Sequence, residues 1–178
     1  MIIKNNQSKL ASFLFADTRF AWFWVFVRVY VGYEWLSAGW GKLGADAWTG
    51  AHAGGGVTGF LTGALGKTGG AHPDVTMWYA WFINHIFLPN AVFFSYLVTY
   101  GEIIVGIALI LGLLTGLSAG LGAFMNFNYL FAGTVSMNPV LLLLELLLIA
   151  SFRVSGYIGL DRFVQPFVTK YINKEKKA

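Results

Sequence analysis

The chain has 178 residues, 57% of them hydrophobic and only 11% charged, with a formal net charge of +4 and no cysteine. Soluble domains carry about a quarter charged residues, so the composition argues against a soluble globular protein. Without cysteine the chain supplies no disulfide, thiolate metal ligand or iron–sulfur ligand of its own.

The basic excess sits at the ends: Lys4, Lys9 and Arg19, then Arg153, Arg162, Lys170, Lys174, Lys176 and Lys177. These residues flank apolar segments, a pattern that reports membrane orientation rather than nucleic acid as a partner. A crossing helix needs about 20 mostly apolar residues. The first such stretch is about 20–40; its length, Arg28 and the lack of a small-residue cleavage site set it apart from a signal peptide. A loop over 41–92 follows, formally neutral, with Lys42 and Lys67 against Asp46 and Asp74. Residues 50–72 are rich in glycine and predict irregular chain. "LTGALGKT" (61–68) ends like a phosphate-binding loop, but Leu61 stands where that pattern needs glycine and no strand precedes it. "MWYAWFINHIFLPNAVFF" (77–94) is aromatic and broken, which predicts an interfacial or re-entrant helix capping the bundle and ending near Pro89.

Further spans follow at about 93–114, 117–133 and 139–157. Gly116, Gly120, Ser118 and Gly122 give the third span small residues for close packing, and Pro139 suits the first turn of the fourth. The expected architecture is an all-α membrane protein, a four-transmembrane-helix bundle with an outer helix in its first loop, forming one domain over 1–178. Both basic ends, including the tail 158–178, are then cytoplasmic, the loop 41–92 lies outside, and the location is the cell membrane.

Four ionisable residues fall within the spans: Arg28, Glu34, Glu102 and Glu145. Intramembrane charges are expensive and are commonly paired or functional. At about 1.5 Å per residue, Glu34, Glu102, Glu145 and Asn128 all fall in the outer half of the bilayer. Arg28 and Glu34 are six positions apart, not a same-face spacing, so Arg28 is expected to pair with Glu102 or Glu145. Three carboxylates cannot all ionise cheaply against one arginine in a low dielectric. At least one is therefore expected to hold a proton, and Lys42 stands at the span's outer edge as a second positive charge. A structural polar knot tying the four helices together is the competing reading. The three histidines lie outside the spans, which gives no support for a haem held between two of them.

Certain stretches resemble a known family: "RVYVGYEWLSAGWGKL" (28–43), "YGEIIVGIALILGLLTGLSAGLGAFMNFNYLFAG" (100–133), "SMNP" (136–139) and "YIGLDR" (157–162). Together they resemble the DoxX/DoxD family of small four-helix membrane proteins, and the outer "WYAWFINHIFLPNAVFF" (78–94) looks like the version in members related to thiosulfate:quinone oxidoreductase. The resemblance implies a membrane subunit that passes electrons from a thiosulfate-like compound to the quinone pool, as a component of a thiosulfate dehydrogenase (quinone). It implies a second redox subunit, expected as a separate chain, and quinone as the cofactor. Arg28, Lys42 and Glu102 match the family's polar positions; Glu34 and Glu145 join them on depth alone. Glu102, Arg28, Glu145 and Glu34 are thus the catalytic candidates. Lys42, Asn128, Tyr100 and His85 are the substrate-binding candidates, by charge, hydrogen-bonding capacity or place at the mouth of the bundle. Trp35, Trp40, Trp78 and Trp81 are aromatics that would flank a flat ring. No flavin, haem or metal signature accompanies them. The alternatives are a non-catalytic membrane anchor or assembly subunit of a redox complex, and a small-solute pathway, which four short helices would form only as a homo-oligomer.

Overall fold

The fold is that of a computed structural model, which describes residues 9–164. The basic residues Lys4, Lys170, Lys174, Lys176 and Lys177 lie outside the described residues. The described chain is helical, with no strand among the described residues. A short α1 (Lys9–Ala16) precedes a 3-10 turn that Asp17 caps by accepting the Arg19 N–H (2.9 Å). The long α2 (Ala21–Lys42) follows, then α3 (Gly55–Leu65), α4 (Met77–Phe82), α5 (Ala91–Leu111), α6 (Thr115–Phe131), α7 (Asn138–Ala150) and α8 (Phe152–Ser155).

Three features depart from the sequence reading. Residues 50–72, expected to be irregular for their glycine content, hold the helix α3 (Gly55–Leu65), whose Val57, Leu61 and Ala64 are buried. The segment 77–94 is no separate helix ending near Pro89. A π-helical turn (Ile83–Phe87) and a 3-10 turn (Leu88–Asn90) join α4 to α5 in one helical run, Met77–Leu111. Pro89 falls at the start of the 3-10 turn. The π-helical turn just before it already interrupts the regular hydrogen-bond ladder, so the run accommodates the proline. The fourth apolar stretch is also divided: α7 has 13 residues, Pro139 sits in its first turn, and Ser151 separates it from α8.

The run Met77–Leu111 is the one helix among the described residues that is long and apolar enough to cross a membrane by length and composition. Only 33% of its most apolar window is buried inside the protein, unlike the core helix of a soluble domain. Large apolar side chains also point outward elsewhere, among them Phe26 on α2, Phe124 on α6 and Leu143 on α7.

The helices pack chiefly as α2 on α5 and α6 on α7, with α5 also meeting α6 and α2 meeting α7. The α2–α5 contact is antiparallel and close. A Cβ at Gly32 would fall 2.8 Å from the Gly106 carbonyl oxygen, and one at Gly106 would fall 2.5 Å from the Leu36 nitrogen. The missing side chains let the two backbones meet and fix their register: Gly39 lies beside Glu102 and Ile103, and Gly32 beside Gly106 and Ile110. One hydrophobic core, with Trp24, Val31, Trp35, Leu109 and Leu148, lies among α2, α5, α6, α7 and α8. A second, with Val57, Leu61, Val75, Tyr79 and Ile83, holds α3 against the α4 end of the long run.

Candidate functional site

The register places a carboxylate from α5 beside the C-terminus of α2. Lys42, in the last turn of α2, donates from Nζ to Glu102 Oε2 (2.6 Å) and to the Ala38 carbonyl (3.2 Å). A cation in this position also meets the negative end of the helix dipole. Glu102 is almost wholly buried, with 2% of its side chain exposed against 19% for Lys42. Its second oxygen, Oε1, accepts from the Tyr129 hydroxyl of α6 (2.7 Å).

A second carboxylate lies nearby. Glu145 of α7 is fully buried. It accepts from the Trp35 indole N–H at Oε1 (2.6 Å) and from the Asn126 amide at Oε2 (2.7 Å). The rings of Trp35 and Tyr129 are neighbours, with centroids 6.2 Å apart. Lys42, Glu102, Tyr129, Trp35, Glu145 and Asn126 thus form one continuous cluster drawn from α2, α5, α6 and α7. The two acids differ in kind. Glu102 has an ammonium partner. Glu145 has neutral donors, and no cation lies within 4.0 Å of it among the described residues. Asn126 is itself fully buried, and its Oδ1 has no hydrogen-bond partner.

Arg28 does not join this cluster. It is 14 positions before Lys42, about 21 Å lower along α2. The antiparallel register sets it beside Gly112, just past the end of α5, rather than beside Glu102. The expected pairing with Glu102 or Glu145 does not form, and Arg28 makes no ion pair within 4.0 Å among the described residues. Arg28 is buried and donates from Nη2 to the Ile158 carbonyl (2.8 Å), while Nε and Nη1 have no partner. The opposing charge that acts on it is Asp161. Asp161 is buried in turn, and accepts from the backbone N–H of Leu114 (2.5 Å) and Thr115 (2.9 Å) at the start of α6. Its own N–H donates to the Gly112 carbonyl (2.8 Å). The "GLDR" stretch therefore folds onto the α5–α6 turn. Arg28 passes between Gly112 and Gly159, where a Cβ on either would collide with the guanidinium.

The other candidates scatter. Glu34 is half-buried, with no side-chain hydrogen bond or ion pair among the described residues. Asn128 donates to the Phe124 carbonyl (2.8 Å) and accepts from the Tyr79 hydroxyl (3.2 Å), tying α6 to α4. Tyr100 is 47% exposed and its ring stacks on Tyr96. His85 is exposed, bonded to the Trp81 carbonyl (2.9 Å) and stacked on the Trp81 ring. Of the four aromatics at hand for a flat ring, Trp35 alone is a member of the cluster; Trp40, Trp78 and Trp81 are exposed. Tyr129 and Asp161 were missed. The signal for Tyr129 is its spacing: Gly122, Asn126 and Tyr129 fall at i, i+4 and i+7, one face of a helix.

Among the described residues the chain is helical, with one apolar run of membrane-crossing length and a buried acid cluster between its helices. The family signature of DoxX matches residues 23–135, more than half of the chain. The chain belongs to the DoxX family, and DoxX is a family of membrane proteins. Neither the curated proteins nor the solved structures offer a match.

Proposed function

We propose that this DoxX protein crosses the membrane four times, through α2, α5, α6 and α7 with α8, and serves as the membrane subunit of a thiosulfate-like:quinone oxidoreductase system. Residues 138–155, α7 and α8 together, span about 27 Å at helical rise, close to the hydrocarbon thickness. Arg19, Arg153 and Arg162 lie at the Arg28 end of the molecule and the neutral loop 41–92 at the other, which supports cytoplasmic termini. The Glu102–Glu145 cluster then sits in the half of the bilayer away from the cytosol.

One observation carries the functional reading: Glu145 is held by neutral donors with the unpartnered Asn126 Oδ1 beside it. With Nδ2 toward it, Asn126 stabilises a carboxylate. Turned over, the same amide offers Oδ1 to a carboxylic acid O–H. A side-chain amide has both a donor and an acceptor end, so this pair accommodates both protonation states of Glu145. Glu102 keeps its Lys42 and Tyr129 partners through the exchange.

A quinone supplies the redox chemistry when bound, taking up two electrons and two protons. The residues suit one. Lys42 Nζ and Tyr129 Oη are the donors that would meet a ring oxygen, and Asn126 Oδ1 is an acceptor for a hydroxyl of the reduced form. Trp35 and Tyr129 offer aromatic faces. Glu145 holds the exchangeable proton, and the oxidation of the sulfur compound falls to the partner subunit.

A second reading, a non-catalytic anchor, is favoured by one observation: Lys42, Tyr129 and Trp35 all donate to carboxylates of the chain itself. The test is thiosulfate-dependent reduction of a quinone analogue in proteoliposomes holding the protein and whatever redox subunit co-purifies with it. Glu145→Gln should lower the rate about 100-fold, the scale of general acid–base assistance, while leaving assembly intact. Wild-type rates in Glu145→Gln and Glu102→Gln would remove the proton role. No activity in the wild type with its partner present would leave the anchor.

A further inference from the structure

One face of α2 is left largely uncovered by the rest of the described chain. Gly32 and Gly39 face α5, where a Cβ on either would collide. Gly41 is different, because a Cβ there would meet no atom within 4 Å. It closes a row on the outer side of α2 formed by Tyr30, Glu34, Ser37 and Gly41, with Glu34 half-buried and the other three exposed. Successive members are four, three and four positions apart. That alternation keeps them on one seam, the pattern by which one helix packs along another.

Glu34 makes this face costly to leave in lipid. Its carboxyl group has no hydrogen bond or ion pair among the described residues. Lys42, the last residue of α2, is eight positions on, about 12 Å at helical rise. A glutamate side chain is too short to reach the membrane boundary over that distance. Intramembrane carboxyl groups face a partner helix or a polar cavity rather than hydrocarbon. The donors that Glu34 lacks stand on the same row. Tyr30 and Ser37, about one turn to either side, carry hydroxyls that donate to nothing among the described residues. The face holds both an acceptor and its donors, so it is self-complementary, as a two-fold interface requires.

We infer that the Tyr30–Gly41 face of α2 is the interface with a second copy of this chain in the membrane. The two copies insert the same way round, so α2 packs in parallel on α2 and each seam position opposes itself across the two-fold axis. Ser37 and Gly41 are small enough to bring the two backbones together. Glu34 of each copy then lies between Tyr30 and Ser37 of the other and accepts from their hydroxyls. A cation on the helix of a different subunit would also satisfy Glu34, but it would leave both hydroxyls without an acceptor. Trp35, the next residue, points about 100° away and bonds Glu145, so the dimer leaves the acid cluster of each copy intact.

This inference rests on the proposed crossing of the membrane by α2. The chain has no cysteine, so single cysteines introduced into the full-length protein report position without background. In proteoliposomes, Ser37→Cys and Gly41→Cys should give disulfide-linked dimers on mild oxidation, because two-fold packing brings like Cα atoms within the roughly 4.4–6.8 Å that a disulfide spans. Val29→Cys and Trp40→Cys replace residues that are exposed on other sides of α2, and both should remain monomeric. Energy transfer between copies labelled at the amino end should show Glu34→Leu weakening the dimer about tenfold, the scale of two lost inter-helix hydrogen bonds. Glu34→Gln, which keeps an acceptor, should stay within about threefold of wild type. Absence of cross-linking at both seam positions, or equal cross-linking at every position, overturns the interface. A seam cysteine that stays monomeric in the purified protein and is shielded from maleimide only when another subunit is present would assign the face to that subunit and also overturn it. Labelling of Val29→Cys by a membrane-impermeant maleimide would instead overturn the placement of α2 in lipid, and the interface with it.

Discussion

Lys42→Met should destabilise the protein by about 3–5 kcal/mol, the cost of leaving a buried charge without its partner. The carboxylate left behind, Glu102, is 2% exposed and would keep only the Tyr129 hydroxyl bond. Adding Glu102→Gln to Lys42→Met should restore most of the loss, since the double variant buries no charge at that point. Glu102→Gln alone should cost less than Lys42→Met, because Lys42 is partly exposed and retains the Ala38 carbonyl and the Trp48 ring. Thermal unfolding of the four proteins in one detergent gives the coupling directly. Additive effects of the two substitutions would mean that the 2.6 Å contact contributes nothing to the folded state.

The second large effect is expected at the opposite end. Arg28→Met should destabilise by about 1.5–3 kcal/mol, because it removes the charge-assisted bond to the Ile158 carbonyl and the positive charge nearest the buried Asp161. Asp161→Ala should do comparable damage by another route. Leu114 has a positive φ of 47°, an unusual backbone for leucine, and Asp161 holds that turn through the Leu114 and Thr115 N–H groups. Without the carboxylate the start of α6 loses both acceptors, and Arg28 loses its counter-charge. In both variants thiosulfate-dependent quinone reduction per folded molecule should stay near wild type, since this knot lies about 10 Å or more along α2 from Trp35. A large loss of that rate in a folded Arg28→Met protein would return Arg28 to the catalytic group.

The acids themselves were legible in the sequence because an ionisable side chain in an apolar stretch stands out against its neighbours. Glu102 and Glu145 both belong to the cluster, and Lys42 does pair with one of them. Their partners were harder to read. Tyrosine and tryptophan are ordinary at membrane boundaries, so nothing in composition separates Tyr129 and Trp35, which bond the acids, from Tyr100 and Trp81, which face outward. Glu34 and Trp35 are adjacent, yet they point about 100° apart on a helix, and the choice of which faces inward belongs to the α5–α7 packing. Arg28 shows the limit of counting charges without counting rise: the 14 positions separating it from Lys42 already place it in another layer. Asp161 lies within the quoted "YIGLDR" stretch, but its role depends on that stretch folding onto the α5–α6 turn, through contacts far apart in the chain. Pro89 reads as a stop; the π-helical turn that precedes it is what lets the helix continue.

The central claim is that Glu145 is a proton-exchanging acid in one cluster with Glu102. Infrared spectroscopy of the protein in lipid, recorded in H₂O and D₂O, tests it most directly. The account predicts a protonated-carboxyl C=O band that shifts in D₂O, disappears in Glu145→Gln and moves in both Tyr129→Phe and Asn126→Leu. A spectrum without such a band across the accessible pH range, or a band untouched by all three substitutions, would contradict it.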